Sequence, residues 1–218
     1  MVLLERATIE DAQALAQVHA DAFATERVTQ LKSIDASYVH RAEMLPAIEY
    51  WLGAEGTVVI KAVDPTTREI LGWACWRLAA TASTAGAIPE PTSDAFPKTP
   101  AGVGKFTGAH MSYWIQSLVP KLLPSPHRIL ISITIAPAHQ RGGVGSALLQ
   151  WGLADQLPTW VHASEMGHPF FARHGFTVRA SVTVLLAEWA QGAPPPMGYE
   201  SWGTTTFRYM TYLPKGET

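Results

Sequence analysis

The residues with the clearest chemical potential are the seven from Gln140 to Ser146, Gln-Arg-Gly-Gly-Val-Gly-Ser. Glycine lets a backbone turn sharply and approach a ligand closely. Val144, Ala147, Leu148 and Trp151 recur at helical spacing, so a helix starts inside this stretch and turns that face inward. Its first N–H groups have no partner within the helix, and a helix start attracts anions. The stretch therefore predicts a site for a phosphate-bearing, anionic cofactor. A nucleotide hydrolase is a poor reading, because the Lys-Ser/Thr pair that a phosphate loop places after its glycine is missing. Other groups able to move protons are scattered along the chain: His110, His162, Glu165 and His168. Cys75 has no base or cation beside it in sequence and reads as core, not as a nucleophile.

These residues need elements to hold them. An apolar strand over 129–135 leads into the turn, and Pro137 ends it. Upstream, 2–7 reads as a short strand, and Thr8 with Asp11 forms a capping-box pattern for a helix reaching about 24. A short helix is expected at 27–32 and a longer one at 38–52, where Pro46 should cause a kink or a split. Residues 57–63 and 69–78 flank the turn Asp64-Pro65-Thr66-Thr67 and read as a hairpin. The segment 79–126 begins as a Pro/Thr/Ser/Ala-rich loop and continues into a helix expected at 104–119, with Phe106, His110, Met111 and Trp114. Its length makes it either a mobile lid or an insertion lining a site. Beyond the turn, a strand is expected at 159–164, a helix or turn at 165–174, and strands at 177–186 and 204–213 around a Pro/Gly loop at 191–203. The order β-α-α-β-β-β-α-β-α-β-β describes an α/β (α+β) chain, read as one domain over 1–218 with an insertion at about 79–126.

Composition narrows the function classes. A net charge of −2 gives no reason to expect nucleic-acid or membrane-surface binding. No apolar run approaches the roughly 20 residues of a membrane span, and the acids that follow Val2-Leu3-Leu4 are unlike a secretory signal. A single cysteine excludes an internal disulfide framework and fits a reducing compartment. The expectation is a cytoplasmic monomer or homodimer, without a metal.

With this order of elements, the chain resembles the GNAT superfamily of acyl-CoA N-acyltransferases. Gln140-Arg141-Gly142-Gly143-Val144-Gly145 is similar to that family's Q/R-x-x-G-x-G/A signature, and it follows the apolar strand as it does there. Downstream, Phe170-Phe171-Ala172-Arg173-His174-Gly175-Phe176 resembles the family's F/L-Y-x-K-x-G-F segment. The insertion and Ala163-Ser164-Glu165 look most like fungal GNAT proteins. The resemblance implies a mixed, mostly antiparallel central sheet flanked by helices and splayed at the strand before the turn. It also implies acetyl-CoA as acyl donor and a small-molecule amine as acceptor. The amides of Arg141, Gly142, Gly143, Val144, Gly145 and Ser146 would cradle the pyrophosphate, with Gln140 at the signature's first position and Arg141 and Arg173 as phosphate partners. The main chain of Ile133, Thr134 and Ile135 would bond the pantetheine amides, with Ser164 and Phe171 also beside the cofactor.

Acyl transfer to an amine needs a base for the amine, a donor to polarise the thioester carbonyl, and a proton for the thiolate. The resemblance implies that a main-chain N–H near Ile135 polarises the carbonyl. The strand before the signature carries Ser132 and Thr134 where some members carry a Glu, so Glu165 and His168 are the catalytic candidates, with His162 and His110 behind them. Phe171 stands where the family has a proton-donating Tyr. His168, Tyr199 or a water could replace it, or the thiolate could leave unaided. Two alternatives therefore remain: a non-catalytic acyl-CoA-binding regulatory module, and a protein or peptide N-acetyltransferase.

Overall fold

The computed structural model describes residues 2–80 and 86–214. Residues 81–85, where the Pro/Thr/Ser/Ala-rich part of the 79–126 segment was expected to be loop, lie outside them. The strands are β1 (Leu3–Arg6), β2 (Thr57–Val63), β3 (Ile70–Ala79), β4 (His127–Ile135), β5 (Thr159–Ala163), β6 (Thr177–Leu185) and β7 (Thr204–Tyr212). They form one seven-stranded sheet in the order β1-β2-β3-β4-β5-β7-β6. Every neighbouring pair is antiparallel except β4 with β5. The helices are α1 (Ala12–Phe23), α2 (Arg27–Lys32), α3 (His40–Gly53), α4 (Pro100–Tyr113), α5 (Val119–Leu122), α6 (Val144–Leu153) and α7 (His168–Arg173). No described helix is long and apolar enough to cross a membrane.

The two sheet faces carry different helices. On one, α6 packs over Ala74, Trp76, Leu130 and Val161, and Phe171 and Phe176 join it from the α7 region. On the other, α1 and α3 cover Val59, Trp73 and Cys75, and the 100–122 segment covers Ile129, Trp160 and Tyr209. The entry to α1 is fixed by Asp11, whose carboxylate accepts the Thr8 N–H at 2.8 Å and pairs with Lys61 at 2.7 Å. Cys75 is fully buried in the α1 face, and burial pushes its thiol up to about 12, as a core residue requires.

Several elements differ from the sequence expectation. Residues 40–53 form one helix with Pro46 inside it and not a split pair, because Ile48, Leu45 and Trp51 anchor both halves on the same cluster beneath α1. The helix of the insertion starts at 100 and not at 104: the Thr99 hydroxyl accepts the Gly102 N–H at 3.0 Å, and Pro100 takes the first turn, where no N–H is needed. It passes into a π turn, Trp114–Leu118, and then into α5, where Pro120, which has no N–H to donate, sits in the first turn. The buried face of α6 is Val144, Leu148, Leu149 and Gly152, with Ala147 and Trp151 only half-buried. Trp76 causes this rotation, because its indole lies flush against Gly152.

A Cβ on Gly152 would stand 2.2 Å from the Trp76 ring. Gly152→Ala is therefore expected to destabilise the fold by about 1–3 kcal/mol. Urea unfolding measures this, and combining it with Trp76→Leu should recover part of the loss. An unchanged midpoint for the single variant would contradict the packing described.

Candidate active site

The site begins where two strands part. β4 pairs with β5 only from Arg128 to Leu130, against Thr159 to Val161, and the strands then diverge. On its other side β4 stays paired with β3 up to Ile135, with an irregularity that leaves Ile131 without a Cα partner. Ala136 donates its N–H to Leu71 of β3 at 2.9 Å. Antiparallel residues alternate in the direction of their main-chain groups, so Thr134 also faces β3, whereas Ile133 and Ile135 face the gap. Of the three residues expected to offer main chain to a ligand, Thr134 is thus committed elsewhere. Ile135 offers its N–H, while its carbonyl accepts from the Gln140 side chain at 3.2 Å.

At the end of β4 the chain turns through two left-handed residues, Arg141 (φ 62°) and Gly143 (φ 85°). Gly143 caps α6, and a side chain there would meet no atom, so conformation and not space selects glycine. Gly145 differs: its Cβ would meet the Phe170 ring at 3.4 Å. Arg141 and Arg173 are both exposed beside this turn and form no ion pair among the described residues. The Ser146 hydroxyl bonds His174 Nε2 at 3.0 Å, and His174 Nδ1 meets the Phe170 carbonyl at 2.9 Å. His174 therefore braces α6 against α7, a role that sequence reading missed because it depends on contacts between helices.

From this turn a cavity of about 890 Å³ runs along the parted strands and through to the α1 face. Gln140, Arg141, Gly143, Gly145, Ser146, Ser164, Phe171 and Arg173 all lie on its wall, together with β4 from Ile129 to Ile135. Gly142 and Val144 do not line it: Gly142 is exposed and Val144 is turned into the core. Neither catalytic candidate lines it either. Glu165 is exposed on the turn after β5 and His168 starts α7; the Ser164 hydroxyl accepts the Gly167 N–H at 3.1 Å, and from this turn it is Met166 and Gly167 that lie on the wall. Phe171 packs against Phe170 and Phe176 in the core, with ring centroids 5.2 and 5.4 Å away. Tyr199 is exposed, with the Arg27 guanidinium 4.1 Å above its ring, and is not on the wall.

The histidines on the wall are His19, His162 and His174. His162 follows the last β4–β5 pair and stacks between Phe207 and Tyr209, at 4.8 and 4.9 Å. Burial lowers it to about 4, so its ring is neutral at pH 7, and its Nε2 is buried without a partner. His110 lies behind Tyr209, 3.5 Å from its hydroxyl and 3.2 Å from Glu90. His19 sits on α1, with Nδ1 2.9 Å from His40 Nε2. Glu26 is the one carboxylate among the described residues of the wall. His19 and Glu26 carried no signal in the sequence, since both fall in an ordinary helix and its following loop. No group of three or more His, Cys, Asp or Glu among the described residues is placed to hold a metal.

No family model matches the sequence, and no curated protein matches it. Solved structures do. A mosquito arylalkylamine N-acetyltransferase like 5b shares the fold with a TM-score of 0.61 at 13% identity, covering 98% of this chain and 100% of that one. The histone acetyltransferase HPA2 and related acetyltransferase of Corynebacterium glutamicum gives 0.55 at 17% identity, over 100% and 98%. Arabidopsis thaliana NAA60 in complex with acetyl-CoA gives 0.54 at 10% identity, over 98% and 99%. The strand order, the parting of β4 from β5 and these likenesses together show that the chain has the GNAT acyltransferase fold.

Proposed function

We propose that the protein is an N-acetyltransferase that moves acetyl from acetyl-CoA to the primary amine of a small molecule, by direct attack in a ternary complex. The observation that carries this reading is the gap between β4 and β5, which opens at a left-handed glycine turn and continues as one cavity to the opposite face. Each part of coenzyme A meets a complementary surface. The amides at the start of α6, with unpaired Arg141 and Arg173, suit the pyrophosphate. The outward main chain of Ile133 and Ile135 suits the pantetheine amides, between Ser164 and Phe171 on the other wall. The acyl group then reaches the point where the strands begin to part, beside Ile131 and His162.

The amine nitrogen attacks the thioester carbonyl carbon, the C–S bond breaks, and its electron pair leaves on sulfur. Phe171 cannot donate a proton to that sulfur. His162, neutral and with a free ring nitrogen at the start of the gap, can donate to the carbonyl oxygen or the departing thiolate as its N–H tautomer. Glu165 and His168 lie off the wall and have no part in this reading.

The acceptor end is walled by Phe23 of α1, Met44 and Trp51 of α3, and Met111 and Ile115 from the insertion, with Phe207 of β7. Three helical segments thus surround it, which favours a compact amine with an apolar body over a protein chain. The arylalkylamine named for the mosquito neighbour is an acceptor of this kind. A cytoplasmic monomer or homodimer that binds neither nucleic acid nor membranes remains the working expectation from composition.

Gly143→Val should weaken CoA binding by about 10-fold or more, since a branched residue is strained at this φ and disturbs the amide cradle. Calorimetric titration with CoA measures it, with circular dichroism to confirm the fold. In the intact protein, thiol release from acetyl-CoA should require an amine, and His162→Phe should cut kcat by about 100-fold with little change in CoA affinity. CoA binding without thiol release across a broad amine panel would leave an acyl-CoA sensor in place of the enzyme.

A further inference from the structure

We propose that His19 takes the proton of the acceptor amine and passes it through His40 to Tyr38 at the surface. This rests on the acetyl-transfer reading above and supplies the base that reading lacks, since β4 offers only the hydroxyls of Ser132 and Thr134 on its α1 face. His19 and His40 come from two helices and stand 21 residues apart, and Tyr38 lies in the loop before the second, yet their polar atoms form one unbroken chain. His19 lines the cavity. Its Nδ1 lies 2.9 Å from His40 Nε2, and His40 Nδ1 lies 2.5 Å from the Tyr38 hydroxyl. His19 Nε2 has no protein partner among the described residues, and the ring is held by Phe23, stacked 4.3 Å away and within 4° of parallel, with Trp73 at 5.9 Å. A packing histidine needs one hydrogen bond. A ring fixed by an aromatic, bonded at one nitrogen to a second ring that continues to a half-buried phenol, is built to move a proton.

The chain has two neutral states with the same number of protons, which differ in the ring nitrogens that carry them. In the first, His19 Nδ1–H donates to His40, His40 Nδ1–H donates to Tyr38, and the lone pair of His19 Nε2 faces the cavity. The ammonium form of the acceptor hands one N–H proton to Nε2; the neutral nitrogen then attacks the thioester carbon, the C–S pair leaves on sulfur, and the thiolate takes the surplus proton of the nitrogen. Each donor then hands on its own proton, and the Tyr38 hydroxyl releases one to water. In the second state all the bonds run the other way, no ring is charged, and one proton has crossed to the surface. The charged and titratable groups facing the pair are Lys32 from α2, Glu43 from α3, buried Cys75 from β3, and Glu26 and Arg77 on the same cavity wall. Burial first, then the neighbouring ring and Lys32, lower His19 to about 3, and burial with Lys32 lowers His40 to about 4. Both rings are therefore neutral above about pH 5, and the first state is available throughout the working range.

The test uses the full chain with acetyl-CoA and 2-phenylethylamine. Replacing the relay should matter most when the amine is protonated. His19→Phe should lower kcat by about 100-fold at pH 7 with the KM for acetyl-CoA within about twofold. His40→Phe and Tyr38→Phe, as positioning residues, should lower it by about 10-fold. All three defects should shrink as pH approaches about 10, where an alkylamine loses its proton unaided. A loss that is equal at every pH, or none at all, overturns the relay. If the wild type releases no thiol with this amine, the fault lies in the acetyl-transfer reading, and nitrogen-15 spectra of the imidazoles decide the relay alone. They should show both rings neutral at pH 6 and the His19 tautomer balance shifted by His40→Phe. Rings that titrate independently near pH 6.5 would refute it.

Discussion

The parting of β4 from β5 is the constraint on which the rest of the structure depends. Two adjacent strands that stop pairing leave main-chain groups without partners, and each such group, if buried and unsatisfied, costs about 1–3 kcal/mol. The gap persists because each strand is held from its other side. β4 is bound to β3 along nearly its whole length, and β5 is bound to β7 from Thr159 to Ala163. The helices then fill the space above and below, with the α6 cluster of Val144, Leu148 and Phe171 under one face and α1 over the other. The fold thus keeps a row of unspent hydrogen bonds on β4, and a ligand carrying amides in sequence is the natural occupant. The left-handed turn at Arg141 and Gly143 belongs to the same device. A non-glycine residue at positive φ is retained only where its surroundings over-determine it, and here the turn aims the first amides of α6 along the gap.

The second organising feature is the dryness of the α1 face. Trp73, Trp114, Trp160 and Tyr209 are all almost fully buried there, and Trp114 stacks on Tyr209 at 4.7 Å. A polar group among such rings keeps a charge only at high cost, which is why His19, His40 and His162 are all lowered by burial before any charge acts on them. The same surroundings strengthen the hydrogen bonds that the neutral rings make. Neutral imidazoles in a dry wall are poor ion pairs and good proton carriers, so the aromatic packing and the proposed chemistry share one physical cause.

The sequence made the fold legible because its signals were local. The periodicity of α1, the hairpin of β2 and β3, and the glycine turn each depend on residues close in sequence, and each lies where it was expected. So does the splay that the resemblance implied, where β4 parts from β5. Side-chain roles were much less legible. Glu165 and His168 were candidates as titratable groups in a chain whose β4 lacks a Glu, but they stand off the wall while their neighbours Met166 and Gly167 lie on it. His19 looked like one polar residue at the end of an amphipathic helix. Its significance comes from His40, a contact that no spacing rule reaches. The α6 face was misplaced by one position for a similar reason, since Trp76 reaches Gly152 from a different element.

The insertion shows how a compositional reading can be right about a segment and silent about its use. Residues 86–99 are the proline-rich loop that the sequence suggests, with one short turn at Ser93–Ala95. Its second part is core: Val103, Phe106 and Trp114 pack with Trp160, Trp189 and Tyr209. Ser117 clamps the loop to the helix by bonding both main-chain groups of Ile88, at 2.9 and 2.8 Å. A lid must have few buried contacts, so that it can open at low cost. This segment has the opposite character, and its Met111 and Ile115 are therefore a fixed wall. On the proposed reading, selectivity for the acceptor then depends on the shape of a preformed pocket and not on closure around it. Methionine at one of the two wall positions leaves that pocket some room to adapt, because its unbranched side chain has several rotamers of similar energy.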